Sequence, residues 1–285
     1  MCIACAASTL DGSSVTLERK ESSSIPIEAD SICPERFVGL SQAEIAALPA
    51  FYGRRQVTLG DLFVVEGAGA DSITVKGDVR AVKKIGRGMS WGRITVDGDV
   101  GAHLGAEMSG GEIVVHGNAG DWVGAHMAGG RIVVEGSAGH SVGGAYMGAT
   151  HGMTGGTIIV RGSAGREAGS RMRRGLIVIF GDVGEFAGVS MLAGSLFVWG
   201  QMGKRAGAGM KRGSIVALGT ATEVLPTFRY ACTYSPVFLR YYLRRLRSWE
   251  LIDDDEWALG LAAFRRYIGD RNSGGRGEIL VRVQA

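Results

Sequence analysis

The sequence predicts a mainly β fold: a single-stranded, right-handed parallel β-helix of about seven 19-residue coils with helical caps. Three observations predict it. Residues 93–111, 112–130, 157–175, 176–194 and 195–213 share the pattern xIxVxGxxGxxxGxxMxxG, and residues 72–92 and 131–156 carry it with two and seven extra residues, so seven copies run from Ser72 to Gly213. Of the 47 glycines, 35 fall in that stretch; this density argues against helix, because each interior glycine costs a helix about 1 kcal/mol relative to alanine. All five prolines (Pro26, Pro34, Pro49, Pro226 and Pro236) lie outside it, where none can remove a donor from a continuous ladder.

Each copy opens on a short alternating strand, such as Ile113 and Val115 or Ile132 and Val134, which sends branched side chains to one face. A period near 20 residues is that of a solenoid, in which no single copy buries its own apolar face. Glycines then recur at four places, Gly98, Gly101, Gly105 and Gly111 in one copy and Gly117, Gly120, Gly124 and Gly130 in the next. Corners that need positive φ or close backbone approach explain them. A phosphate-binding glycine loop would occur once, between a strand and a helix. Stacking at about 4.8 Å makes the seven copies a rod of roughly 30–35 Å. Its hand follows from the right-handed preference of parallel crossovers. Met89, Met108, Met127, Met153, Met172, Met191 and Met210 recur once per copy and read as gap-filling core rather than as a copper site. A second inward position shrinks from Ile85 and Leu104 to Ala187 and Ala206, so the rod is expected to taper.

The flanks differ in composition. Residues 1–60 form an N-terminal arm and cap with a short helix, 61–219 the β-helix, and 220–285 a C-terminal helical extension. Residues 1–34 are rich in serine and small residues and are expected to be poorly ordered or wrapped on a partner. Ser41 and Glu44 make a capping-box pattern for a helix that stops near Pro49. Two further helices are expected at 236–249 and 254–268, the second acidic at its start and basic at its end. Such flanks cover strand edges that an open coil end would leave unpaired.

With 46% hydrophobic and 21% charged residues, the chain can bury a sizeable core. It has no apolar run of membrane-spanning length and no leader pattern, so it is expected to be cytoplasmic and without a membrane or nucleic-acid partner; the net charge of +3 is too small to imply the latter. Cys2, Cys5, Cys33 and Cys232 are too scattered for a disulfide framework, and Cys2-x-x-Cys5 lacks the second pair that a metal site needs. His103, His126 and His140 lie on outward turns of three consecutive copies, but without ligand spacing. Neither they nor His116 and His151 form an expected metal site. Asp97 and Asp99 occur in one copy only, where turn chemistry explains them, and no catalytic residue is expected.

The basic residues are better organised. Arg173-Arg174 and Lys211-Arg212 occupy one turn two copies apart, with Arg166, Arg171, Lys204 and Arg205 nearby, whereas the matching early turns are Ser109-Gly110 and Ala128-Gly129. A basic end of this kind suits an acidic surface or a polyanionic ligand. The insertion Gly144–Gly156, with Tyr146, Met147 and His151, is apolar and weakly charged, which favours contact with another protein chain. The helix carrying Tyr241, Tyr242, Leu246 and Trp249 is a second candidate interface.

The run "GEIVVHGNAGDWVGAHMAGGRIVVEGSAGHSVGGAYMGATHGMTGGTIIVRGSAG" resembles the C subunits of formylmethanofuran dehydrogenases, whose β-helix is similar to the C-terminal domain of the glutamate synthase large subunit. The likeness covers roughly residues 38–219, including "LSQAEIAALP" and "GDLFVVEG". It implies one of two settings. In methanogenic archaea this protein belongs to a tungsten or molybdenum enzyme; in methylotrophic bacteria its counterpart belongs to the formyltransferase/hydrolase complex. The bacterial complex moves a formyl group from formyltetrahydromethanopterin to a methanofuran-type cofactor and hydrolyses the product to formate in one-carbon oxidation. With 25 Arg against 6 Lys, the chain favours the bacterial setting. The resemblance implies a non-catalytic scaffold in a hetero-oligomer with A, B and D subunits, zinc in the A subunit, and no cofactor bound by this chain. The one exception would be Arg173, Arg174, Lys211 and Arg212, which could attract the cofactor's glutamate tail. A free-standing carbohydrate-active β-helix enzyme would need acids converging on one groove, and the sequence does not display them.

Overall fold

The structure is a computed structural model that describes residues 14–220 and 223–283. The N-terminal part runs through β1 (Ser14–Arg19), β2 (Ile27–Glu28), α1 (Pro34–Phe37), α2 (Gln42–Ala46), the hairpin strands β3 (Pro49–Tyr52) and β4 (Arg55–Thr58), α3 (Leu59–Leu62) and β5 (Phe63–Gly67). The expected capping box is present: the Glu44 N–H donates to Ser41 Oγ and the Ser41 N–H to Glu44 Oε2, and the helix ends before Pro49. Residues 14–19 correct the expectation of a loose arm. Val15 and Leu17 alternate with Thr16 and Glu18, so β1 buries them beside Ile73 and Val75 as a sheet strand. The serine-rich surroundings hide that short period-2 signal. Cys2 and Cys5 lie outside the described residues.

The repeats supply β6 (Ser72–Lys76), the two-residue β7 (Val82–Lys83), β8 (Arg93–Asp97), β9 (Glu112–Val115), β10 (Arg131–Val134), β11 (Thr157–Val160), β12 (Leu176–Ile179), β13 (Ser195–Val198) and β14 (Ser214–Ala217). Leaving β7 aside, they stack in parallel and in register, so that Ile73, Ile94, Ile113, Ile132, Ile158, Ile177, Leu196 and Ile215 form one buried ladder. A thinner parallel ladder of single bridges joins Val79, Val100, Ala119, Ala138, Ala164, Val183 and Met202. All seven repeat methionines are fully buried. The first six pack under the last glycine of the following repeat, and Met210 under Gly277: a Cβ on Gly130 would stand 2.7 Å from Met108 Cε, and one on Gly156 2.7 Å from Met127 Cε. That contact explains why glycine and methionine keep a common register. A polar ladder runs beside it, in which the N–H of Asn118, Ser137, Ser163, Asp182 and Gln201 each donates to the side chain one repeat earlier, starting from Asp99. Asp99 is therefore occupied in turn chemistry.

After β14 the chain leaves the stack through β15 (Arg229–Tyr234), α4 (Val237–Ser248), α5 (Asp254–Leu259) and β16 (Phe264–Gly269), and returns as β17 (Gly277–Arg282). The C-terminal extension is thus mixed rather than helical. The helix expected over 254–268 ends at Leu259, because Phe264–Gly269 pairs antiparallel with β17. β17 itself lies parallel on β14, placing Ile279 on Ile215, and the 13-stranded sheet is mostly parallel with antiparallel strands at both ends. These end strands, rather than helices alone, occupy the edges. From β11 onward both strand faces are buried: Ile159, Val178, Phe197 and Val216 face Leu239, Leu243 and Leu246 of α4. In β8 to β10 the same outer positions, Thr95, Val114 and Val133, are only half-buried.

Candidate functional site

Three places carry side chains beyond what the repeat requires. The first is the insertion after Gly143. Its apex is a tight turn in which the Ala149 N–H donates to the Tyr146 carbonyl, with Gly148 at φ +83°, so Met147 stands at the tip, 98% exposed. Tyr146 folds back onto the preceding repeats. Its ring centroid lies 5.2 Å from Trp122, 5.5 Å from His103 and 5.0 Å from His126, and its hydroxyl is 3.0 Å from His103 Nδ1. The Tyr146 N–H donates to His126 Nε2 at 3.1 Å, and His151 stands 6.1 Å from the His126 ring. Arg171 clamps the other side by donating to the Ala149 carbonyl. His103, Trp122 and His126 all have positive φ, which turns their side chains outward from consecutive corners.

His140 does not join this cluster: it accepts the Arg166 N–H at Nδ1, as Asp121 accepts the His140 N–H. His116 lies 2.9 Å from Glu135 and 3.9 Å from Asp97. Among the described residues no three His, Cys, Asp or Glu side chains are grouped to hold a metal ion.

The cluster has a pH consequence. Burial, with His151 adding to it and Glu107 opposing it, holds His126 below the ordinary imidazole pKa. Only neutral His126 can accept the Tyr146 N–H. The opened state binds the proton more readily, so the closed insertion loses stability as pH falls below about 6.5 toward the depressed native value, and is unaffected above it. Amide exchange at Tyr146, corrected for intrinsic rate, is expected to speed up several-fold between pH 7.5 and 5.5 in the native chain and to show no such change in His126→Phe. Equal protection of the native chain at both pH values would remove this account.

The second place is a groove of about 770 Å³ between α4 and the glycine turns, lined by Gly111, Gly130, Gly156, Arg131, Arg245 and Tyr241 among others. Trp249 forms one wall, with the guanidinium groups of Arg131 and Arg245 each 4.7 Å from its ring. Arg131 is already paired with Glu112, which also holds Arg93 at 2.7 Å. Tyr242 is half-buried against Phe197, and Tyr241 is exposed. The third place is the basic end. Arg173, Arg174, Lys211 and Arg212 are all exposed, on turns that precede β12 and β14. The interface candidates thus fall on two features, the insertion and α4, and the N–H groups of Arg173 and Arg174 donate to the Met153 carbonyl at the end of the insertion.

Cys33 is no reactive thiol. It donates to Glu35 Oε2 at 2.8 Å, and burial pushes its pKa up to about 12. Iodoacetamide at pH 8 is expected to label the exposed Cys232 and leave Cys33 unmodified in the folded chain, as read by peptide mass mapping. Labelling of both at similar rates would contradict that burial.

No helix among the described residues is long and apolar enough to cross a membrane. A family model described as the GXGXG motif matches residues 74–229. The chain is 41% identical over 99 residues to the C subunit of tungsten-containing formylmethanofuran dehydrogenase 2 from Methanothermobacter marburgensis, and 39% identical over 74 residues to the Fhc C subunit of the formyltransferase/hydrolase complex from Methylorubrum extorquens. These alignments span 33% and 26% of this chain and 37% and 28% of the relatives, so the chain covers about a third of the curated relatives' length. It is also similar in structure to a chain in the crystal structure of the formyltransferase/hydrolase complex (FhcABCD) from Methylorubrum extorquens in complex with methylofuran. The TM-score there is 0.88 at 36% identity, over 94% of this chain and 100% of that one.

Proposed function

The chain belongs to the family of C subunits found in formylmethanofuran dehydrogenases and the formyltransferase/hydrolase complex, and from that premise we propose that it is the scaffolding C subunit of a formyltransferase/hydrolase complex. The complex would pass a formyl group from formyltetrahydromethanopterin to a methanofuran-type cofactor and release it as formate, with the chemistry in other subunits. The observation that carries this reading is the whole-length match in structure to a chain of FhcABCD, which includes the flanks as well as the repeats.

On the same reading, residues 61–219 form one right-handed parallel β-helix of about seven coils, with the strand ladder and the bridge ladder as two of its sides. Residues 1–60 and 220–285 are its two caps. Tyr146, Met147 and His151 on one surface and Tyr241, Tyr242 and Trp249 on another meet neighbouring A, B or D subunits. Arg173, Arg174, Lys211 and Arg212 have no carboxylate partner among the described residues and would hold the acidic tail of the cofactor when it is bound.

A tagged chain expressed with its neighbouring subunits is expected to co-purify with them, and to show formyl transfer and formyl hydrolysis only within that assembly. Activity of the isolated chain would refute the scaffold role. Zinc rather than tungsten or molybdenum in the assembly separates the hydrolase from the dehydrogenase, a second reading favoured by the local identity to the archaeal proteins. Reversing Arg173 and Arg174 is expected to raise the apparent KM for the cofactor; unchanged kinetics in an intact assembly would remove the tail-binding idea.

A further inference from the structure

The outer face of α4 is left without cover by the described residues of this chain. Leu239, Leu243 and Leu246 point into the core, while Val237 (72% exposed) and Tyr241 (66% exposed) face away from it, beside the exposed Arg240, Arg244 and Arg245. Helical spacing sets Val237, Tyr241, Arg244 and Arg245 along one side of the helix. Large apolar side chains exposed next to cations mark a surface built to meet another chain rather than water alone.

The charges on this face are unbalanced. α4 carries four arginines and no acid, and among the described residues the one that meets a carboxylate is Arg247, 2.6 Å from Asp254. Arg131 and Arg245 share Trp249, but Arg131 pairs with Glu112, so among the described residues Arg245 is the one of the two without a carboxylate partner at the mouth of the groove. The floor is flat because glycine is obligatory there: a Cβ on Gly111, Gly130 or Gly156 would strike a methionine methyl within 2.6–2.7 Å. It crosses the starts of four stacked strands, about 14 Å, which is the length of about four extended residues.

We propose that this groove and the outer face of α4 receive an extended, acidic segment of another protein in the same complex. Its carboxylates pair with Arg240, Arg244 and Arg245, and an apolar side chain rests on Val237 and Tyr241. A nucleic acid fits less well, since a phosphate backbone gains nothing from the apolar side chain of Val237. The inference rests on reading the chain as part of a larger complex and adds the chemistry of one partner surface. It makes association salt-dependent and sets its rate as well as its affinity.

The test uses the assembled complex. A photo-crosslinking residue placed at Tyr241 is expected to capture a peptide of another subunit rich in Asp and Glu, and mass spectrometry identifies it. Arg240→Glu with Arg244→Glu is expected to weaken that association at least ten-fold at low salt, with the difference shrinking in 0.5 M NaCl. Arg240→Lys with Arg244→Lys should retain most of it. Thermal melting of the isolated variants checks that they fold, since both side chains are exposed. Capture of a non-acidic peptide, of a second copy of this chain, of nucleic acid or of nothing overturns the proposal, as does unchanged affinity in the Glu variant. If the partners co-purify but the crosslink falls elsewhere, the docking surface fails and complex membership stands. If nothing co-purifies with the native chain, membership itself fails and the docking surface with it.

Discussion

Gly130→Ala is expected to destabilise the chain by about 3–5 kcal/mol, the sum of a strained left-handed residue and an overpacked neighbour. Gly130 has φ +82°, and its Cβ would lie 2.7 Å from Met108 Cε, 2.8 Å from the Gly111 oxygen and 2.9 Å from the Gly110 carbonyl carbon. The methionine could swing aside, but the two backbone atoms belong to the stacked rung and cannot move without shifting the ladder. Gly88 provides the comparison within the same molecule. It also has positive φ, at +71°, yet nothing lies within 4 Å of its Cβ position, so Gly88→Ala should cost only the backbone strain, about 1 kcal/mol. Thermal melting of the two variants should show a drop several times larger for Gly130→Ala. Equal drops would mean that backbone conformation, not the approach of neighbouring rungs, governs these corners.

Leu243→Ala should cost about 3 kcal/mol, the usual penalty for deleting a fully enclosed leucine. Leu243 is buried between the outer face of the stack and the second helix, where Gly260 packs directly on its side chain. Because α4 is joined to the rest through Leu239, Leu243 and Leu246, the loss should be local. Hydrogen exchange is expected to rise across Val237–Ser248 and along the outer positions of β12 to β14, while the inward ladder through Ile113 and Ile132 keeps its protection. Uniform loss of protection across the chain would show instead that α4 and the stack unfold as one unit. The same variant should weaken partner binding through α4 without altering the insertion around Tyr146, which separates the two proposed interfaces.

Much of the stack is legible in the residues because it is local and repeated. The interface candidates Tyr146, Met147 and Tyr241 are legible for a related reason: each sits where the repeat is broken. The networks around them are not. That His126 accepts the Tyr146 N–H, or that Arg131 reaches Trp249, depends on residues 20 and 118 positions apart, for which the sequence offers no spacing rule. One further signal lies in the strands themselves. The charged first positions Arg93, Glu112 and Arg131 give way to Thr157, Leu176 and Ser195, and a strand without charge is compatible with cover on both faces.

The amino-acid order by itself determined where strands begin, which side chains face inward and that glycine and methionine keep one register, since these follow from periods of two and nineteen residues that the repeats carry. Only the tertiary structure decided how the stack ends. Residues 264–269 set Arg265 and Arg266 between strand-forming Phe264, Tyr267 and Ile268, and pairing with Gly277–Arg282 settles the competition in favour of strand. The physical reason is that an exposed sheet edge gains a full row of hydrogen bonds from any strand that reaches it, and that gain outweighs the weak helical preference of a six-residue segment.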